Sequence, residues 1–117
     1  MLIKIKPACD PPDEEDGQRI LVDRSWPGGI SKESARIDFW PKDLAPSAEL
    51  RRWYARNPEK WSVFKTRYFA ELETKPLLLK ELLDRMRRGT ATFVYSSRER
   101  RRNHAAAIRD YLDTIAT

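Results

Sequence analysis

The chain has 117 residues, 40% of them hydrophobic and 35% charged, with a formal net charge of +5. This length and balance fit a single folded domain with a heavily charged surface, and no apolar run approaches the roughly 18 residues of a membrane span. The lone cysteine, Cys9, excludes an internal disulfide, and one histidine with no Cys/His spacing argues against zinc, so no metal, no cofactor, no membrane partner and a cytoplasmic location are expected.

The charge is uneven. Residues 1–50 hold 7 basic and 10 acidic side chains, whereas residues 51–117 hold 16 basic and 8 acidic ones. A basic half can attract nucleic acid or another polyanion. The same excess also describes a solvated, arginine-rich helix surface, and that reading comes first.

Residues 2–6 alternate apolar and basic side chains, the pattern of a half-exposed strand rather than a signal peptide. Lys4 and Lys6 discourage edge-to-edge pairing. Residues 7–17 carry Pro11-Pro12 and the acids Asp13 to Asp16, and are expected to form a solvated surface loop. Ile20, Leu21 and Val22 lack polar alternation and are expected to form a central strand covered on both faces. Trp26-Pro27-Gly28-Gly29 then forces a turn.

Ser31 is placed to cap a short helix over residues 32–36, and Ser47 a second helix with Leu50, Trp53 and Tyr54 on one face. Asn57-Pro58 marks the next boundary, with Asn57 as the expected cap. Trp61, Phe64, Tyr68 and Leu72 form a helical stripe read as core rather than as a stacking platform for bases. Pro76 opens another helix, with Leu78, Leu79, Leu82, Leu83 and Met86 inward and Gly89 as its stop. Arg85, Arg87 and Arg88 suit the negative end of that helix. Residues 90–95 read as a strand, and Ile108, Tyr111, Leu112 and Ile115 mark the inner face of a last helix. The fold class expected is α/β: a single domain with a small, mostly parallel sheet of three or four strands and four or five helices.

Strands in such sheets place binding crevices at their carboxyl ends. If strands 20–22 and 91–95 are parallel neighbours, Asp23 and Arg24 come near Tyr95, Ser96, Ser97 and Arg98. The start of the last helix then adds Asn103, His104 and free backbone N–H groups, which favour anions. Arg24 and Arg98 would hold a small anionic ligand, with Trp26, Tyr95, Ser96 and Asn103 as further binding residues, while Asp23 or His104 would handle a proton as catalytic groups. Each has a structural alternative. Asp23–Arg24 could be an ion pair bracing the strand end, Tyr95 could roof the sheet, and Asn103 could cap the helix. His104 would then sit in a first turn, where a positive charge is disfavoured, which points to a neutral ring or a carboxylate partner. Ser96-Ser97 lacks the glycines of a nucleophile elbow, and Cys9 lies beside acids and prolines that do not activate a thiol. No glycine-rich phosphate loop is present.

The ordered set Asp16-Gly17, Arg19-Ile-Leu-Val-Asp-Arg-Ser-Trp-Pro27, Ile30-Ser-Lys32, Asp38-Phe-Trp40, Ala45-Pro-Ser47, Glu49-Leu-Arg51 and Asn103-His-Ala105 resembles the YeaO-like family, domain of unknown function 488. The resemblance runs from about Lys6 to Leu112. It implies a small α/β domain and no particular reaction. By position, the family's shared polar and turn residues fall on Asp23, Arg24, Trp26, Pro27, Tyr95, Asn103 and His104. Gly28 stands where the family usually has arginine, Ser25 where it has leucine, and Arg98 where lysine is common. An arginine from residues 98–102 is available to replace the charge missing at Gly28. Three functions stay open at this level: a domain acting on a nucleotide or another phosphorylated or carboxylated ligand, a nucleic-acid-binding protein using the basic half without catalysis, and an interaction module.

Overall fold

The computed structural model describes residues 3–115. Three parallel strands, β1 (Ile3–Pro7), β2 (Gln18–Leu21) and β3 (Ala91–Tyr95), form one sheet in the order β1-β3-β2. Five helices accompany it: α1 (Lys32–Ala35), α2 (Ala48–Arg56), α3 (Trp61–Glu73), α4 (Pro76–Met86) and α5 (His104–Ile115). The α/β class with a small parallel sheet is as expected. Leu2, assigned to the first strand, lies outside the described residues, and that strand extends instead to Pro7.

The strand order corrects one expectation: the Ile20-Leu21-Val22 stretch flanks the sheet, and β3 is its centre. All five residues of β3 are buried, with Phe93 registered between Ile5 and Ile20. An uninterrupted apolar run reports burial on both faces, not pairing on both edges. β2 achieves that burial at the margin because residues 38–39 close its outer edge. The Leu21 N–H donates to Phe39 O at 3.0 Å, and the Asp38 N–H donates to Arg19 O at 2.8 Å.

The two faces have different covers. Ile3, Ile20, Val22, Ala91, Phe93 and Tyr95 join the main core with Phe64, Tyr68, Leu82 and Ile108 from the helices. On the opposite face, Ala8, Leu21 and Val94 lie under Trp26, Ile30, Ile37 and Trp40, a cover that is largely non-helical. Both indoles satisfy their N–H groups there, Trp26 on Ile30 O at 2.6 Å and Trp40 on Asp23 O at 2.7 Å. Unpaired donors would make such a layer costly to bury.

Ser31 and Ser47 cap α1 and α2, accepting from the N–H groups of Ser34 and Leu50. Asn57 does not cap α3. Its side chain donates back to Trp53 O at the end of α2, and α3 begins only at Trp61. Ile115 is 47% exposed, because the inner stripe of α5 ends at Leu112. Leu77 is 83% exposed, since residues 79, 82 and 86 carry the buried face of α4.

The acidic run is not simply solvated. Residues 14–16 form a one-turn 3-10 helix capped by Asp13, and Asp16 is buried. Its carboxylate lies 2.6 Å from the buried Arg19 guanidinium and 3.2 Å from the Lys6 ammonium. Gly17 follows with φ +65°, where an added Cβ would lie 2.1 Å from Thr90 O. Only glycine brings the chain this close to β3.

Candidate ligand-binding site

Parallel pairing of β2 and β3 brings their carboxyl ends together. The Val22 N–H donates to Val94 O at 3.1 Å, and one residue later the Asp23 carboxylate reaches Ser96. One Asp23 oxygen accepts from the Ser96 backbone N–H at 2.8 Å and from the Ser96 hydroxyl. The other lies 3.0 Å from His104 Nδ1. Burial pushes the Asp23 carboxyl up, but the His104 and Ser96 contacts outweigh it and hold the group below the ordinary aspartate value. An ionised carboxylate only accepts, so Nδ1 carries the shared proton. Nε2 is left without a partner among the described residues.

His104 is oriented from three sides. It is the first residue of α5, its ring lies over Phe64 with centroids 5.8 Å apart and planes at 18°, and Asp23 holds its Nδ1. Asn103 caps this helix: its Oδ1 accepts from the Ala106 N–H at 2.8 Å while its Nδ2 donates to Glu99 O at 2.8 Å. The carboxylate partner expected of a histidine in a first turn is thus Asp23. Behind the site, the buried Tyr68 hydroxyl donates to Leu44 O at 2.6 Å, and burial with the Asp23 charge pushes that phenol up, out of acid–base use.

These groups open onto a pocket of about 190 Å³. Of the residues expected there, Asp23, Tyr95, Ser96, Asn103 and His104 line it. Ser97, expected close by, lines it as well, and Tyr54 and Arg102 complete the wall. Tyr54 went unrecognised because it falls on the same helix face as Leu50 and Trp53, and nothing in its spacing separates a pocket wall from core. Arg102 belongs to the arginine run of residues 98–102, and no pattern within the run singles it out.

Three expected residues lie elsewhere. Arg24 forms no ion pair with Asp23; its guanidinium turns toward Ala45 O at 3.4 Å and the Asp43 carboxylate at 3.8 Å. Both residues lie in the bend that follows β2, and there the two side chains diverge. Trp26 packs edge-on against Trp40, centroids 5.5 Å apart, in the cover of the opposite face. Arg98 is exposed and outside the pocket lining. Among the described residues, no group of three or more His, Cys, Asp or Glu side chains could hold a metal ion, and no helix is long and apolar enough to cross a membrane.

A family model described as "Inactive DUF488-N3 subclade" matches residues 2–116. The chain is similar to an uncharacterised protein of Mycobacterium tuberculosis, 45% identical over 101 residues that cover 86% of this chain and 85% of that one. It is also similar to the uncharacterised protein YeaO of Escherichia coli, 36% identical over 115 residues, 98% of this chain and all of that one. No solved structure matches it.

Proposed function

This chain belongs to the DUF488 family, in the subclade described as inactive, and on that premise we propose that its strand-end pocket binds a small anionic ligand without turning it over. The observation that carries this reading is the convergence of Arg102 and the Asp23–His104 pair on one pocket. Arg102 supplies a planar fork for a carboxylate or phosphate. His104 Nε2 accepts from a ligand hydroxyl or, once protonated, donates to the anion. Asp23 and Ser96 hold that ring in place, and the Tyr54 hydroxyl, without a partner among the described residues, supplies a further polar contact. Asp23 and His104 have the arrangement of an acid–base pair; the subclade's description is what favours recognition over catalysis. The volume of about 190 Å³ lies below the roughly 300 Å³ at which pockets for drug-sized molecules begin, so a compact ligand fits best.

The test is calorimetric titration of the full chain with nucleoside monophosphates, sugar phosphates and small dicarboxylates. One of these is expected to bind saturably, with Arg102→Gln and His104→Gln each weakening it on the order of tenfold and Arg98→Gln leaving it unchanged. The ligand should be recovered chemically intact. Wild-type affinity in Arg102→Gln, or no binding by any of the three classes, removes the reading. Consumption of the ligand removes its non-catalytic half.

A second reading rests on the exposed arginines 98, 101 and 102, which share one segment beside the pocket. A nucleic-acid surface built on them requires affinity that falls steeply as salt rises. A flat salt response excludes it.

A further inference from the structure

Arg24 and Arg51 each hold a buried guanidinium Nε with no hydrogen-bond partner among the described residues. Buried polar groups are nearly always paired, and an exception points to a water or an ion. Arg19 Nη2 is in the same condition, but that head is sealed between Asp16 and Ala35 O, and the residue is 3% exposed. Arg24 keeps 33% of its side chain exposed and Arg51 is half-buried, so solvent reaches both heads.

Residues 44–47 bring the two arginines together. Leu44 O accepts from the Tyr68 hydroxyl, and Ala45 O accepts from Arg24 Nη2 at 3.4 Å. Ser47 O then accepts from the Arg51 N–H at 2.9 Å in the first turn of α2. The carbonyls of Ala45 and Ser47, two residues apart, are separated by at most about 7 Å. A helical side chain leans back over the turn that precedes it, which carries the Arg51 head toward Ser47 and so toward Arg24. The other flank of α2 faces α3, where Trp53 lies under Arg67 at 4.2 Å; Arg51, two residues earlier, is on the flank away from it. One turn on from Arg51, Tyr54 walls the pocket that contains Asp23, the chain neighbour of Arg24.

The two guanidiniums have little counter-charge. Asp43 lies 3.8 Å from Arg24 with 75% of its side chain exposed, a weak partner for one of them. Arg51 has no ion pair among the described residues. The Glu71 carboxylate, on the same segment, is committed to the Ser47 N–H and hydroxyl at 2.9 and 2.6 Å.

We propose that Arg24 and Arg51 form an anion subsite beside the pocket, taking a phosphate group, free or as a monoester. The Nε–H and one Nη–H of each arginine make a two-pronged donor set matched to phosphate oxygens. The anion supplies the acceptors that both Nε–H groups lack and displaces Asp43 from Arg24.

The probes are inorganic phosphate and glycerol 3-phosphate, each titrated into the full chain by calorimetry and followed through the arginine Nε–H signals in NMR. Saturable binding is expected, with the Nε–H signals of Arg24 and Arg51 shifting together. Tighter binding of the ester supports a phosphorylated compound as the ligand, and tighter binding of inorganic phosphate supports a free anion. Arg24→Gln and Arg51→Gln should each weaken binding on the order of tenfold, and Arg51→Lys, which keeps the charge and loses the fork, should weaken it too. His104→Gln and Arg102→Gln, at the pocket, should leave it unchanged, so this subsite stands or falls separately from that pocket's ligand. The proposal is overturned by absence of saturable binding of either probe, by binding that leaves both Nε–H signals in place or is lost in His104→Gln, or by wild-type affinity in both glutamine variants of Arg24 and Arg51.

Discussion

Asp23 concentrates three demands in one side chain. It joins the end of β2 to Ser96 after β3 and to His104 at the start of α5, with 13% of its side chain exposed. Its carboxyl is held below the ordinary aspartate value, so the stabilisation is complete above roughly pH 3.9 and is lost as pH falls through the lower folded value. Asp23→Asn is therefore expected to cost roughly 1.5–3 kcal/mol at pH 7, the scale of hydrogen bonds to a charged group. That cost should shrink as the wild-type carboxylate protonates, which urea unfolding at pH 7 and pH 3 would reveal as converging curves. Equal differences at both pH values would refute the assignment. The neighbouring Arg24 shows how narrowly such reasoning holds. The place after an apolar strand marked Asp23, which lines the pocket, and Arg24 had the same place. In the bend after β2 its guanidinium turns to Ala45 and Asp43 instead.

Among the elements, α5 carries the site and depends on its first turn. Asn103 satisfies the Ala106 N–H and ties back to Glu99, which sets the axis on which His104 rides. Asn103→Ala should cost about 1–2 kcal/mol and speed amide exchange in residues 104–107; Asn103→Asp, which keeps the acceptor, should cost less. Unchanged exchange in the alanine variant would show that packing alone holds the turn. The cap was readable because asparagine before an apolar-periodic run is a local signal. Asn57 sends the same local signal and is used differently. Its amide closes α2 on Trp53, so a capping residue marks a boundary without saying which helix it serves.

Across the whole molecule, the sheet is a divider between an apolar helical core and a face that is half aromatic cover and half charge. Asp16 anchors the charged half, meeting Lys6 of β1 and Arg19 of β2 with its carboxylate and the Thr92 hydroxyl of β3 with its carbonyl. Asp16→Asn leaves a buried guanidinium without its counter-charge and is expected to destabilise the fold by about 3–5 kcal/mol in denaturant unfolding, beyond what an exposed acid such as Glu14 should cost. A change below about 1 kcal/mol would mean that water reaches Arg19 freely. In the sequence Asp16 is one of four consecutive acids, and nothing local distinguishes the buried one.

The sequence by itself determined the α/β class, the caps at Ser31 and Ser47, and the apolar stripes of α3 and α5 as far as Leu112. Each of these follows from period, propensity or chain direction, which act over a few residues or along a strand. Only the tertiary structure decided that β2 and β3 are neighbours, so that Asp23 meets Ser96 and His104, that β3 rather than β2 is central, that Arg102 rather than Arg24 or Arg98 faces the pocket, that Tyr54 forms a wall, and that Asp16 is buried. These outcomes depend on which distant segments share a volume. Hydrophobic burial and charge pairing are blind to separation along the chain, so a local pattern leaves them open until the fold brings the groups together.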